Sequence, residues 1–297
     1  MSDKLPVYGG QAVIEGVMMR GSNAYAVAVR TPDKSIEIKT ENLGALYKSK
    51  LTRTPFIRGL FILWDALVLG VQALTFSANI QAEEEEEKIE GATLVITLLT
   101  SLSIGIVFFF LLPAGIGYLT ERIFRWSTLW SNITEGLVRL SLLIGYIWAI
   151  GFVPDIARVF GYHGAEHKTI NAYEAGAPLT PSSVAEFSRE HPRCGTAFLL
   201  TVVVFSILLF AALGSQTLGM RLLTRVLLIP VLASLAYEYI RLSSRLMHFR
   251  WARALIAPNL WLQRLTTREP DASMLEVAIA SFEAMREREQ SPASEPA

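Results

Sequence analysis

The sequence predicts an α-helical integral membrane protein. We expect about four transmembrane helices, one membrane-packed helix, a small N-terminal β segment and a cytoplasmic helical tail. Hydrophobic residues make up 52% of the chain and charged residues 18%, whereas soluble domains have about 25% charged residues. Two stretches, 91–120 and 194–220, carry no charged side chain. Uncharged stretches of more than about 18 residues are typical of membrane spans.

Charge and cysteine content exclude several classes of protein. The chain has 27 basic and 27 acidic residues, so it has no excess of basic charge and nucleic acid is not an expected partner. Cys194 is the single cysteine, which rules out an intrachain disulfide framework. No apolar run follows a basic start within the first 55 residues, so we expect no cleavable signal peptide.

Residues 1–55 are predicted to form a soluble, mostly β segment. Tyr25–Arg30 and Ser35–Thr40 read as strands, and Pro32 between them suits the second position of a turn. Upstream, the segment 9–21 contains four glycines in thirteen residues. Such a composition indicates a chain that turns tightly or lies close to other backbone.

Residues 56–81 are predicted to form an apolar helix with a narrow polar line, which recurs every seven residues at Arg58, Asp65, Gln72 and Asn79. An interfacial helix normally has a wide charged face. We therefore expect this helix to pack against protein, partly within the membrane, without crossing it. The acidic loop 82–91, with five glutamates at 83–87, is interpreted as a solvated connection.

Four spans are expected further along, with polar segments between and after them. Arg139 and Arg225 are predicted to lie near span ends and to snorkel to the headgroups. The predicted spans are 92–119, 133–153, 197–218 and 222–240, and they form two helical pairs at 92–153 and 197–240. The predicted polar segments are a His/Cys loop at 154–196, a C-terminal segment at 241–288 and a disordered tail at 289–297.

The basic residues predict the orientation of the spans. With four spans, both ends of the chain and the loop 154–196 share one side, which holds 22 of the 27 lysines and arginines. The positive-inside rule then puts that side in the cytoplasm. Expected partners are the lipid bilayer and a second copy or another membrane protein.

The loop 154–196 holds most of the residues that could perform chemistry. His163 and His167 are four residues apart, so a helix would project both imidazoles from one face, with Glu174 two turns beyond. His191 and Cys194 are three positions apart, and imidazole together with thiolate favours Zn²⁺ or a similar divalent metal. The spelling H-x-x-E-H also matches the inverted zincin motif, in which Glu166 would activate water.

Four blocks of the chain resemble the signatures of the YqhQ-like family of bacterial membrane proteins. These are GGQAVIEGVMMRG at 9–21, YHGAEHKTINAYE at 162–174, HPRCGT at 191–196 and PNLWLQRLTTREP at 258–270. The family is a domain of unknown function whose members are at most expected to be metal-dependent enzymes. The resemblance implies a bacterial plasma-membrane location and puts the metal chemistry on His163, Glu166, His167, His191 and Cys194.

Two functions follow from these residues. The first is a zinc-type hydrolase at the cytoplasmic membrane surface, with metal ligands among His163, His167, His191, Cys194 and Glu174, Glu166 as general base, and a lipid or membrane peptide as substrate. The alternative is a scaffold or assembly factor in which the metal has a structural role. Four converging protein ligands would favour the scaffold, and three ligands with an open position would favour the enzyme.

The C-terminal segment is predicted to contain one more helix. Apolar residues recur at helical spacing through 271–288, and the polar face carries as much acid as base. A helix lying on a membrane would carry more lysine and arginine. We therefore expect it to dock on protein, either the N-terminal β segment or a second copy.

Overall fold

The computed structural model describes residues 8–44, 54–82, 91–246 and 249–291. The acidic run 83–87, His248 and residues 292–297 lie outside the described residues. The strands are β1 Gly9–Val13, β2 Gly16–Arg20, β3 Ala24–Arg30 and β4 Ile36–Asn42. The helices are α1 Ile57–Gln81, α2 Gly91–Ile106, a π segment Val107–Leu111, α3 Leu112–Ile123, α4 Thr128–Ile150, α5 Pro154–Glu174, α6 Pro181–Ala185, α7 Thr196–Ala212, α8 Leu218–Leu227, α9 Ile229–Arg245, α10 Arg250–Thr266 and α11 Ala272–Gln290.

The N-terminal segment is a four-stranded antiparallel sheet in the order β1-β2-β3-β4. The two predicted strands are confirmed as β3 and β4, with ends shifted by one or two residues. The glycine-rich segment forms the β1–β2 hairpin, which the sequence did not reveal as strand. Glu15 in its turn has a positive φ of 49°. A side chain on Gly16 would collide with the backbone oxygen of Ala28 in β3, which explains the glycine there.

Helices cover both faces of this sheet. Val17, Met19 and Ala28 lie in one apolar cluster with residues of α5 and α11. Val27 and Val29 lie in a second cluster with Leu69 and Ala73 of α1. Because both faces are buried, β2 and β3 are continuous apolar runs and show no alternation of polar and apolar residues.

Helix α1 packs against protein along its length, as its polar line predicted. In its first half, Arg58 forms an ion pair with Glu238 of α9. Asp65 lies 3.2 Å from the guanidinium of Arg20 in β2. Its second half contacts the sheet through Leu69 and Ala73. The polar stripe therefore joins α1 to α9 and to the sheet.

Three helical segments are long and apolar enough to cross a membrane: α1, the continuous segment Gly91–Ile123 and α4. Helices α8 and α9 make a fourth candidate if they count as one span, although they are bent by 44°. The predicted span 197–218 corresponds to α7, which is shorter, with 17 residues. Four apolar segments of the expected kind are thus present, with α7 shorter and the last one broken at Leu228.

The prediction for Arg139 and Arg225 was wrong. Both side chains are about 1% exposed and form what we call the arginine cluster, made of Glu135, Arg139, Arg221 and Arg225. Glu135 accepts hydrogen bonds from all three guanidinium groups. Arg139 also donates through Nε to the carbonyl oxygen of Phe109 in the π segment, at 2.8 Å. A buried carboxylate thus replaces the headgroups as the partner of these cations.

The C-terminal helix α11 docks on the N-terminal sheet, which confirms the first of the two predicted partners. Leu275, Ala278 and Phe282 are buried in the same cluster as β2 and β3. Asp271 caps the helix and accepts a hydrogen bond from the Met274 amide at 2.9 Å. The expected disorder from residue 289 onwards was wrong at its start, because Glu289 is helical and accepts a hydrogen bond from the amide of Asn23.

Candidate metal centre

Helix α5 positions the two central histidines. It begins at Pro154, whose missing amide hydrogen costs nothing at the first helical position, and it ends before Gly176, which has a φ of +72°. His163 and His167 project from the same face, with ring centroids 4.4 Å apart. The predicted helix and the predicted pairing of the two imidazoles are both present.

A cysteine from another segment completes a group of three. Ligand atoms of His163, His167 and Cys194 all lie within 4.8 Å of one another. The Cys194 Sγ atom is 3.2 Å from Nε2 of His163 and 3.2 Å from the hydroxyl of Thr196, the first residue of α7. We call these three residues the His/Cys cluster. Cys194 is 7% exposed, and His163 is half-buried.

Backbone carbonyls assign the tautomers of the two imidazoles. Nδ1 of His163 lies 2.9 Å from the Thr266 oxygen, and Nδ1 of His167 lies 2.6 Å from the Arg189 oxygen. A carbonyl oxygen only accepts hydrogen bonds, so Nδ1 must carry the hydrogen in both rings. Nε2 of each neutral ring then carries the lone pair that a metal requires. Second-sphere bonds of this kind are typical of metal-binding histidines.

The other two predicted ligands lie in a neighbouring group. His191 is held by Gln263, which accepts from its amide at 3.0 Å and donates to its carbonyl at 2.9 Å. Glu174 forms an ion pair with Arg193, and its carboxylate lies 3.7 Å from Nε2 of His191. The imidazole of His191 and the guanidinium of Arg193 lower the pKa of Glu174 to about 2. Burial lowers the pKa of His191, which favours its neutral form.

Glu166 is buried between α5 and β1. The backbone amide of Gly10 lies near its carboxylate, and within the described part of the chain Oε2 has no hydrogen-bond partner. Burial raises the pKa of Glu166 to about 7, although His163 and the Gly10 amide oppose that shift. A Cβ atom at Gly10 would lie 3.0 Å from the Glu166 carboxyl carbon. The glycine thus allows the strand to cover this side chain closely.

Side chains of α5 also hold the segment that carries Cys194. Lys168 donates to the Ala185 oxygen at 2.6 Å. Asn171 donates to the carbonyl oxygens of Ser188 and Glu190 at 2.7 and 3.1 Å. These bonds fix the segment before any ligand arrives.

Sequence reasoning missed the groups that orient the site, namely Gly10, Arg189, Gln263 and Thr266. Two of them, Gln263 and Thr266, lie in the block 258–270, which the sequence marked only by its resemblance to a family. Gly10 lies in the glycine-rich segment, whose composition did predict close approach to other parts of the chain.

The donor set of the His/Cys cluster fits a borderline divalent metal. Two imidazoles and one cysteine sulfur match the ligand types of zinc. Three protein ligands leave a fourth tetrahedral position for water or substrate.

The fold and the cluster together define a class: a mostly helical protein with three or four apolar candidate spans and a four-stranded sheet, in which α5, α10 and the start of α7 contribute contacts to a potential metal-binding group. The family described as "Protein of unknown function (DUF1385)" matches residues 54–288. The chain is also 37% identical over 309 residues to "Uncharacterized protein YqhQ" of Bacillus subtilis (strain 168), covering 97% of this chain and 96% of that protein. No solved structure matches. The chain belongs to the DUF1385 family.

Proposed function

We propose that the protein is a metal-dependent hydrolase that acts at the cytoplasmic surface of the bacterial plasma membrane. The observation that carries this proposal is the His/Cys cluster, in which a ring nitrogen of each imidazole and one sulfur lie within 4.8 Å of one another. The backbone carbonyls leave both Nε2 lone pairs available to a metal. Zinc is the ion that this donor set favours.

The residues have different roles in the proposed reaction. His163, His167 and Cys194 hold the ion, which supplies Lewis acidity and lowers the pKa of a water molecule when bound. Glu166 is the proposed general base, because it lies one helical turn from His163 on α5, interacts electrostatically with that imidazole and has a pKa raised to about 7 by burial. In the overall reaction, one water adds its oxygen to an electrophilic carbon or phosphorus, and its proton goes to the leaving group.

The alternative is a scaffold with a structural metal site, and the number of ligands speaks against it. A closed site needs a fourth protein ligand. The nearest candidate is His191, whose ring centroid lies 5.8 Å from that of His167. Its Nδ1 faces the Arg193 amide at 3.4 Å, and its Nε2 faces the carboxylate of Glu174. Three ligands and an open position favour catalysis.

The test combines metal analysis with one substitution. Purified protein should contain close to one zinc or related ion per chain. The Glu166→Gln variant should keep the metal and lose hydrolysis of lipid esters, phosphoesters and peptides tested as a panel. Glu186→Gln, at an exposed position, is the matched control and should keep both the metal and the activity. Full activity in Glu166→Gln would remove Glu166 as the base, and a metal-free wild type would refute the proposal.

A further inference from the structure

An apolar cavity of about 400 Å³ lies between α2, the π segment, α4, α7 and α9. Its volume is within the range of about 300–1,000 Å³ that is common for ligand sites. Among its lining residues, Gly105 of α2 faces open space, since a Cβ atom there would meet nothing within 4 Å. None of the described residues of α2 is buried. Helix α2 therefore lines the cavity without having a buried residue of its own.

The cavity and the His/Cys cluster lie at successive turns of α7. Thr196, the first residue of α7, contacts the cluster, because its hydroxyl lies next to the sulfur of Cys194. Leu199, one turn further along, and Val203, two turns along, line the cavity. With a rise of 1.5 Å per residue, Val203 lies about 10 Å from Thr196 along the helix axis. An elongated molecule lying along α7 could reach both places.

Helix α10 connects the same two places a second time. Its residues Gln263 and Thr266 hold His191 and His163 by hydrogen bonds. Its residues Leu262 and Leu265 pack with cavity-lining side chains of α4 and α7 in one apolar cluster. One helix thus supports the polar site with one set of side chains and the apolar cavity with the other.

One of the residues that line the cavity is a cation that is already paired. The guanidinium of Arg139 donates to Phe109, Ser206 and Glu135. It also lies 5.3 Å from the ring centroid of Phe110. Since these contacts engage all three nitrogens of the guanidinium, the cavity offers an occupant mainly apolar side chains. A hydrocarbon chain suits such walls, because each buried methylene contributes to binding through the hydrophobic effect.

We propose that the substrate is a lipid whose hydrocarbon chain fills this cavity while its polar head lies at the His/Cys cluster. The inference rests on the proposed hydrolase and deepens it, since it names the class of substrate. The bond to be hydrolysed then lies at the junction of head and chain. A membrane peptide, the other substrate considered above, would need polar partners for its backbone inside the cavity.

The test uses full-length protein in vesicles of phosphatidylglycerol and phosphatidylcholine. The probe is a phosphatidylcholine with a photoreactive diazirine near the end of one acyl chain. After irradiation, peptide mapping should find the label on cavity residues such as Leu143 and Val203. Labelling spread evenly over the outward surfaces of α4 and α7 would overturn the inference.

Two matched substitutions sharpen the result. Leu199→Trp enlarges a side chain at the cavity, and Leu208→Trp makes the same change on an exposed position of the same helix. Both positions are partly exposed, at 43% and 65%, so neither change disturbs the core. Leu199→Trp should lower cavity labelling about tenfold, equivalent to roughly 1.4 kcal/mol of binding free energy, and Leu208→Trp should leave it unchanged. Equal labelling in both variants would also overturn the inference.

Metal analysis of the same samples separates this inference from the proposed function. Cavity labelling in a protein that binds no zinc overturns the hydrolase and leaves a lipid-binding site. Zinc binding without cavity labelling overturns the lipid inference and leaves the hydrolase. If His167→Ala loses zinc but is still labelled in the cavity, the result supports a site with two separable parts, the His/Cys cluster and the cavity.

Discussion

The arginine cluster and the His/Cys cluster are both buried and polar, but they differ in how completely their atoms are paired. Around Glu135, both carboxylate oxygens accept hydrogen bonds from guanidinium groups, and Asn132 binds Arg221 and Arg225 in addition. Next to the His/Cys cluster, Oε2 of Glu166 has no hydrogen-bond partner among the described residues, and Nε2 of His191 has only the Glu174 carboxylate, at 3.7 Å.

This difference agrees with a structural role for the arginine cluster and with the metal-binding role that we propose for the His/Cys cluster. Leaving a buried polar atom unpaired costs about 1–3 kcal/mol, so a fold built for stability alone would pair it. The arginine cluster is paired in this way and joins α4 to α8. The His/Cys cluster keeps the Nε2 lone pairs of its two imidazoles available, and one carboxylate oxygen of the neighbouring Glu166 has no partner among the described residues.

Removing the central carboxylate should have the largest effect. Glu135→Ala leaves three buried guanidinium groups without their shared anion. Loss of one partner of a buried ion pair costs about 3–5 kcal/mol. Thermal unfolding in detergent should show a strongly lowered Tm, whereas Glu186→Ala on the surface should not. An unchanged Tm for Glu135→Ala would mean that the cluster does not stabilise the fold.

Removing the thiol should abolish stabilisation by metal. Zinc at a hundred times its Kd should raise the free energy of unfolding of the wild type by about 2.7 kcal/mol. Cys194→Ser, a nearly isosteric change, should keep the apo stability and lose most of this increment, because a hydroxyl is a poorer zinc ligand than a thiolate. Unfolding curves with and without zinc measure both quantities. The same increment in both proteins would exclude Cys194 as a ligand.

Enlarging the glycine that covers Glu166 should have a smaller effect. A Cβ atom at Gly10 would lie 2.5 Å from the Met18 oxygen and 3.0 Å from the Glu166 side chain, whereas one at Gly9 would meet nothing within 4 Å. Overpacking of this kind costs about 1–3 kcal/mol. Chemical unfolding should show this loss for Gly10→Ala and almost none for Gly9→Ala. Equal losses would mean that the close contact with Glu166 is not the cause.

The pH-dependent contribution of Glu174 to stability should be the smallest of these effects. Its folded pKa, about 2, lies below its usual value, so its contribution to stability is present above about pH 4.5 and is lost as the pH falls toward 2. Because Glu174 is partly exposed, we expect less than about 1 kcal/mol. The Tm difference between wild type and Glu174→Gln should therefore shrink between pH 6 and pH 3. A difference that grows on acidification would reverse the sign assigned here.

Sequence periodicity predicted the elements that can be recognised from one segment of the chain alone. The helix with His163 and His167, strands β3 and β4, and the amphipathic helix α11 all follow from spacing within one segment. The concentration of histidines and the single cysteine selected the His/Cys loop, and three of the five predicted ligands do come together.

The remainder depends on contacts between distant segments, which spacing within one segment does not encode. Arg139 looked like a residue at a span end, because nothing near it in sequence shows that Arg221 and Arg225 share its carboxylate. The hairpin at 9–20 was missed because its glycines conceal strand propensity. They are needed there because other parts of the chain come close.

The docking of α11 on the sheet also limits the number of times that the chain can cross a membrane between β4 and α5. The sheet, α5 and α11 form one packed body, so a membrane must be crossed an even number of times between β4 and α5. Three candidate spans lie in that interval, namely α1, Gly91–Ile123 and α4, and an odd count cannot return the chain to the same side. The three cannot therefore all cross the same membrane, and α1 is the one whose second half packs against the sheet.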